Sequence, residues 1–196
     1  MSYKIMLYYT ISKTLGVLTL IARRIQKALT TAPRARNYFD LLLVSVVFGV
    51  LVVPFGLWTG FLEISGPQDS LGILMAYSLV AFVLPATAEE LVFRVVLLPH
   101  KDEKVSLRAK VLWTVLALIV FVMWHPVNAY FFLPWTRSLF YRWDFLVAAA
   151  FLGFAATVLY FRSGSIWPGV IFHWAVVVGW KMGCGGRVIT FGEPVG

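Results

Sequence analysis

The sequence has little of the charge that a water-soluble domain carries at its surface. Only 13% of its 196 residues are charged, 60% are hydrophobic, and the mean hydropathy is +0.83. An ordinary soluble domain is about half apolar and about a quarter charged. A soluble protein of this size could not hide so much apolar surface. The composition therefore indicates that lipid is the main solvent and that the chain forms one compact membrane domain.

Cysteine and acidic residues are also scarce. The single cysteine, Cys184, excludes an intrachain disulfide, and no zinc-type cysteine spacing exists. Nine acidic residues stand against 17 lysines and arginines, which gives a formal net charge of +8. The basic residues lie in short connectors between apolar runs, where they meet anionic lipid headgroups. This charge therefore does not indicate a nucleic-acid partner.

Long apolar runs predict membrane-spanning helices. A helix needs roughly 20 apolar residues to cross the hydrocarbon core, and these runs lack the alternation of a barrel strand. We predict an all-α, polytopic membrane helical bundle with spans at residues 41–62, 71–99, 111–133, 145–161 and 166–180. Residues 3–22 either form a sixth, poor span or lie as a helix in the interface, and we favour the interface.

The charges of three connectors predict how the bundle is oriented. Residues 23–36 hold five basic and no acidic residues, and residues 100–110 hold four basic residues against two acids. Residues 63–70 hold two acids and no base. The positive-inside rule therefore places the first two connectors in the cytoplasm and residues 63–70 outside.

Residues 88–94 place three ionisable side chains within an apolar run. Each costs about 2.5–3.5 kcal/mol at a helix centre on insertion scales. Glu90 and Arg94 are four residues apart, so they share a helix face and can pair. Glu89 points about 100° away and lacks that partner, which suits a general base. A purely structural ion pair explains Glu90 and Arg94 but does not explain the second acid.

Two of the three histidines also lie in apolar runs, His125 in the third predicted span and His173 in the fifth. His100 lies in a polar connector and is interpreted as structural. Glu89, His125 and His173 allow three chemistries. Glu89 and His125 activate a water while His173 stabilises an oxyanion, or the three residues bind zinc, or they relay protons in a transporter. The sequence lacks the His-Glu-x-x-His helix that would favour zinc.

The order of these residues resembles the three motifs of the CPBP family. This family comprises the type II CAAX prenyl endopeptidases and the bacteriocin-processing or self-immunity membrane proteins. The resemblance covers roughly residues 75–182. The motifs as they stand here are Glu89-Glu90-x-x-x-Arg94, Phe121-x-x-x-His125 and His173.

The resemblance implies a glutamate-type intramembrane endopeptidase without a covalent enzyme intermediate, with its active site inside the bundle. Glu89 would activate the water together with His125. Glu90 and Arg94 would support them, and His173 would serve the oxyanion site. We accordingly divide the chain into N-terminal interfacial or transmembrane helices (1–74), a CPBP-like protease core (75–182) and a C-terminal tail (183–196).

One position departs from the family pattern. Val177 stands four residues after His173, where the family usually has Asn or Asp. Loss of one oxyanion donor commonly costs about 10²–10³ in rate. Asn128, one turn after His125, is a candidate substitute. The departure leaves a second function open, a non-catalytic immunity or partner-binding membrane protein of the same family.

The expected partners follow from this interpretation. We expect a membrane-associated protein or peptide as substrate, the lipid bilayer as surroundings and no nucleic acid. The protein is expected to be a multi-pass integral protein of a prokaryotic plasma (inner) membrane. The resemblance implies no cofactor, and zinc at Glu89, His125 and His173 is the alternative.

Metal content separates these two chemistries. We expect protein purified in detergent to hold no stoichiometric zinc, and peptide hydrolysis to survive dialysis against a chelator, because the water is activated by a carboxylate. Elemental analysis before and after chelation, with activity measured on both samples, tests this. Stoichiometric zinc that is lost together with activity would instead establish the zinc set.

Overall fold

The computed structural model describes residues 3–67 and 69–186, with side chains from residue 12 onward. Within these ranges the fold is all-helical and contains no strand, which confirms the predicted all-α polytopic bundle. Residues 187–196 of the predicted tail lie outside the described residues. The described ranges contain seven helices: α1 Tyr3–Thr30, α2 Ala35–Thr59, α3 Leu71–Val96, α4 Leu107–Phe131, α5 Arg137–Phe140, α6 Trp143–Ser163 and α7 Trp167–Gly183.

Four helices of the described ranges are long and apolar enough to cross a membrane, namely α2, α3, α4 and α6. They coincide with the first four predicted spans. α7 coincides with the fifth, but it has 17 residues and so lies at the short limit of about 17 residues for a span. α1 is not among the four. The interfacial position of residues 3–22 therefore stays a prediction.

α6 is the central helix of the bundle. Its apolar window is 56% buried, against 11% for each of α2 and α4, and it packs against α2, α4 and α7. The side of α6 that meets its neighbours carries small residues, among them Ala149, Gly153 and Ala156. Small side chains let helix backbones approach closely in a membrane, where apolar burial alone does not drive association.

The outer helices expose large apolar side chains, for example Leu42 and Val50 on α2 and Leu112 and Ile119 on α4. Contiguous apolar surface of this extent is rare on a soluble monomer. In a bilayer it is the surface that faces the lipid, since the helical backbone already satisfies its own polar groups.

α3 is broken at Leu84. Its φ of −131° and ψ of 115° are extended rather than helical, because the ring of Pro85 disfavours the helical conformation in the residue before it. We call residues 71–83 α3a and residues 85–96 α3b. The segment after the break carries Glu89, Glu90 and Arg94, so the first motif has a helix of its own.

The connectors gather at two ends of the bundle. At one end, the Ile166 amide donates to the Ala28 carbonyl at 3.1 Å and Arg24 pairs with Glu103. At the other end, the Glu63 amide donates to the Cys184 carbonyl at 3.3 Å. The two basic connectors therefore lie together, opposite the acidic one, as the charge pattern predicts. We call the first of these the basic end.

A bidentate ion pair between Arg24 and Glu103 stabilises the basic end. Arg24 donates from Nε and Nη2 to the two carboxylate oxygens of Glu103, each at 2.6 Å. The side-chain hydrogen bond from Arg24 is the largest influence that holds the pKa of Glu103 below its ordinary value of 4.5, and burial opposes it. At a pH above the pKa that Glu103 has in the unfolded chain, its lowered pKa stabilises the fold. This stabilisation is lost as the pH falls through the pKa that Glu103 has in the folded protein.

We expect Glu103→Gln to lower the free energy of unfolding by about 1–2 kcal/mol at pH 7, because charge-assisted hydrogen bonds are lost. The difference from the wild type should shrink as the pH falls through the lowered pKa of folded Glu103, and it should disappear once Glu103 is protonated in both states. Thermal unfolding in detergent across this range measures it. The matched control is Asp102→Asn, whose partner Lys27 is 53% exposed and whose effect should be smaller. Equal, pH-independent losses in both variants would contradict the assignment.

Candidate active site

A charged pair lies inside the bundle on α3b. Glu90 is 1% exposed and Arg94 is 2% exposed, and Arg94 Nε lies 3.2 Å from Glu90 Oε2. This confirms the pair predicted from their four-residue spacing. The contact is one of charge rather than an aligned hydrogen bond, since neither Nε nor Nη1 makes a hydrogen bond within the described residues.

Two further contacts offset the free-energy cost of burying the Arg94 guanidinium. Its Nη2 donates to the Gly153 carbonyl at 3.0 Å, and its Cζ lies 4.3 Å from the centre of the Phe121 ring. A cation over an aromatic face is attracted by the ring, more strongly where water is excluded. The arginine thereby connects α3b to both α4 and α6.

The carboxylate of Glu90 also accepts a hydrogen bond from α7. His173 Nδ1 donates to Glu90 Oε1 at 3.0 Å, and His173 is 4% exposed. Both oxygens of Glu90 are therefore engaged, one by a histidine and one by an arginine. The sequence analysis assigned Glu90 only to Arg94, because a histidine 83 residues away gives no local signal.

Glu89 has a different environment from its neighbour. Its side chain is 16% exposed, and its Oε2 is buried without a hydrogen-bond partner within the described residues. His173 Nε2 lies 3.9 Å from that oxygen, and the side chains of Trp124 and Tyr77 lie close enough to interact with the carboxyl electrostatically. The imidazole of His173 thus stands between the two glutamates, with one ring nitrogen toward each.

His125 is held apart from the carboxylates. Its Nδ1 donates to the Phe121 carbonyl at 3.1 Å, and the rings of Phe121, Phe140 and Phe145 lie 5.3, 5.2 and 5.1 Å from its own. In the described part of the chain no carboxylate oxygen lies within 4.0 Å of a His125 nitrogen. Because Nδ1 carries the proton, the neutral ring keeps its lone pair at Nε2.

His125 lies beside this cluster rather than in it. Its neighbour on α4, Trp124, packs against Phe93 of α3b with 6.1 Å between the ring centres, so the two helices meet at this level. The structure joins Glu89, Glu90, Arg94 and His173 directly. His125 faces them across the Phe121 ring, which lies 6.3 Å from the His173 ring, and it is near enough to His173 and Arg94 to interact with them electrostatically.

Two glycines allow the charged groups to fit between the helices. A Cβ at Gly169 would lie 3.1 Å from Glu90 Oε2. A Cβ at Gly153 would lie 2.8 Å from Phe121 Cδ1 and 3.1 Å from Arg94 Nη2. The sequence shows these glycines only as small residues in apolar runs, so their contact with the charged pair is a finding of the structure.

Other ionisable residues are buried away from this cluster. His100 is 2% exposed, and its Nε2 lies 3.0 Å from the Gly164 carbonyl, so its structural interpretation holds although its connector is polar. Lys181 is 3% exposed, with its ammonium over the rings of Tyr77 and Trp180. The sequence pattern gives no sign of this burial, because Lys181 stands at the end of an apolar run.

Two further expectations concern a metal site and a second oxyanion donor. Within residues 3–67 and 69–186 no three His, Cys, Asp or Glu side chains form a group that could hold a metal ion. Glu89, His125 and His173 therefore do not form a ready zinc-ligand set here. Val177 is half-buried one turn after His173 and offers no donor. Asn128 lies beyond His125 on α4, and no described contact joins it to Glu89.

Comparison with known families agrees with this geometry. A family model described as Type II CAAX prenyl endopeptidase Rce1-like matches residues 70–179, more than half of the chain and the whole stretch that carries the cluster. No curated protein and no solved structure matches the chain. The fold and the match together describe an integral membrane protein of a protease family. The chain belongs to the Rce1-like type II CAAX prenyl endopeptidases, which confirms the resemblance seen in its motifs.

The fit of Gly169 against Glu90 can be tested directly. We expect Gly169→Val to destabilise the fold by about 1–3 kcal/mol, because branched carbons would push the Glu90 carboxylate away from Arg94 and His173. Thermal unfolding in detergent measures the change. Gly179→Val on the same helix is the matched control, because a Cβ there meets nothing within 4 Å. Equal destabilisation by the two variants would count against the contact and point to a general helix effect.

Proposed function

We propose that the protein is an intramembrane endopeptidase that hydrolyses a peptide bond of a membrane-associated substrate with a water activated by Glu89. The observation that carries the proposal is that two adjacent glutamates differ in their hydrogen-bond and ion-pair partners. Glu90 is engaged by Arg94 and His173, whereas Glu89 Oε2 has no hydrogen-bond partner and lies 3.9 Å from His173 Nε2. A general base needs a carboxylate that is held in place but free to take a proton.

The separation of Glu89 and His173 leaves room for the reacting groups. A water molecule about 2.8 Å from Glu89 Oε2 would lie beside His173 Nε2, next to the position that the substrate carbonyl oxygen takes in our scheme. Glu89 then takes a proton from the water while the water oxygen bonds to the carbonyl carbon of the substrate. The proton passes to the amide nitrogen, the carbon–nitrogen bond breaks, and the products are a carboxylate and an amine. One water is consumed and no bond forms to the enzyme.

We assign the oxyanion to His173. In this scheme both ring nitrogens of His173 carry a proton, so that Nδ1 donates to Glu90 and Nε2 donates to the developing oxyanion. Glu90 and Arg94 are positioning residues in this scheme, since they orient His173 and hold α3b in place.

His125 keeps the role of holding the water in our proposal. Its Nδ1 proton is fixed by the Phe121 carbonyl, so its Nε2 is available as an acceptor. Since His125 does not contact Glu89, this cooperation runs through the water or the bound peptide. In this scheme the substrate carbonyl and the attacking water lie between the helices and connect the two residues.

The family description bears on the substrate. We propose a protein or peptide anchored in the membrane, with a CAAX-type C-terminus as the first substrate to examine. The exposed apolar faces of α2 and α4 support a site within the bilayer, where such an anchor resides. The prokaryotic plasma membrane is part of this proposal and rests on the resemblance to the family.

We expect Glu89→Gln to lower the rate of peptide hydrolysis by roughly 10²–10⁴-fold, because general-base catalysis contributes about that much. The full chain in detergent is assayed with two fluorogenic CAAX peptides, one farnesylated and one unmodified. The matched control is Glu63→Gln, which should keep the full rate. Glu63 lies in the exposed connector at the end of the bundle opposite the basic end. Unchanged thermal unfolding shows that Glu89→Gln still folds. Hydrolysis at the wild-type rate by Glu89→Gln would disprove the mechanism.

Val177 favours a second function, a non-catalytic immunity or partner-binding protein with the same bundle. The side chain one turn after His173 has no hydrogen-bonding group, so the oxyanion lacks the donor that the family usually places there. In that case both peptides would stay intact with the wild type, and Glu89→Gln would leave partner binding unchanged. A change of Arg94 would still disrupt the fold, because its role in packing does not depend on catalysis.

A further inference from the structure

A polar cavity of about 630 Å³ lies at the basic end, apart from Glu89 and His173. It forms where α1 ends, α2 begins and α6 ends. Its volume falls within the roughly 300–1,000 Å³ of typical ligand pockets. The charged and amide side chains that line it are Arg34, Arg36, Asn37, Asp40, Lys101 and Arg162.

The charge of this cavity is unbalanced. Four basic side chains, from three separate stretches of the chain, line it together with a single acid, Asp40. Asp40 is 4% exposed, and its Oδ1 accepts from Arg162 at 2.6 Å, so its charge is already compensated. Arg34, Arg36 and Lys101 are left to face the same space. Like charges that converge in this way repel each other unless an anion lies between them.

Lys101 is exposed, but its ammonium group is anchored at the cavity. Its Nζ donates to the Ser163 carbonyl at 2.6 Å. Its stem lies on Gly164, where an added Cβ would come within 2.5 Å of Lys101 Cε and where φ is +71°. The turn between α6 and α7 therefore accommodates the lysine through a glycine that both the backbone conformation and the contact require.

The apolar surface next to the cavity points to the source of the anion. Tyr38, Phe39 and Leu42 of α2 are 53%, 64% and 62% exposed, and they begin within one turn of Arg36. A headgroup in the cavity would thus have lipid-facing surface directly beside it for its acyl chains. We propose that the cavity binds the phosphate group of an anionic phospholipid, with the acyl chains lying along α2.

The experiment compares two variants with the same loss of charge. Arg36→Gln with Lys101→Gln removes two cavity cations, and Lys104→Gln with Arg108→Gln removes two cations of the same basic end outside the cavity. The full chain in neutral detergent is titrated with short-chain phosphatidylglycerol, with phosphatidylcholine and with inorganic phosphate. Binding is followed by the rise in thermal unfolding temperature.

We expect phosphatidylglycerol to stabilise the wild type and the Lys104/Arg108 variant equally, and phosphatidylcholine to stabilise neither. The cavity variant should bind phosphatidylglycerol roughly thirtyfold more weakly, because each basic residue near an anionic headgroup contributes about fivefold. Equal weakening in both variants would overturn the site in favour of general surface charge. Inorganic phosphate that reproduces the whole shift, with no further gain from the lipid, would overturn the lipid as ligand.

Discussion

The buried pair of Glu90 and Arg94 is the constraint on which the arrangement of the helices depends. Charges removed from water are stable only where partners offset the lost hydration. Arg94 finds those partners in Glu90, the Gly153 carbonyl and the Phe121 ring, and Glu90 finds another in His173. These contacts lie on α4, α6 and α7. One ion pair therefore sets how closely three helices approach α3b, and the glycines of α6 and α7 permit that approach.

The same constraint separates the roles of two glutamates that are adjacent in the sequence. Successive residues of a helix point about 100° apart. Glu90 consequently faces the arginine, while Glu89 faces the space beside His173 Nε2. His173 belongs to both environments, since one ring nitrogen lies toward each carboxylate. A single imidazole therefore connects Glu90, which is paired with Arg94, to Glu89, whose Oε2 has no hydrogen-bond partner within the described residues.

Local spacing and hydropathy predicted the features that depend on neighbouring residues. The apolar runs predicted the helices, and the interval from Glu90 to Arg94 predicted their pair. Contacts between distant segments were beyond such patterns, as with Glu90 and His173, which are 83 residues apart. The surroundings of His125 depend on more distant residues in the same way, because the rings of Phe140 and Phe145, which follow α4 in the chain, pack against its imidazole.

The contacts of Arg94 also bear on the order in which the protein is made. The ribosome produces α3b well before the groups that neutralise it, because the Gly153 carbonyl lies 59 residues later and His173 comes after that. During synthesis the two adjacent glutamates, Glu89 and Glu90, are the nearby partners for the guanidinium. The charged helix can reach its final environment only when α6 and α7 have entered the membrane. Insertion of α3b therefore depends on two helices that are synthesised after it.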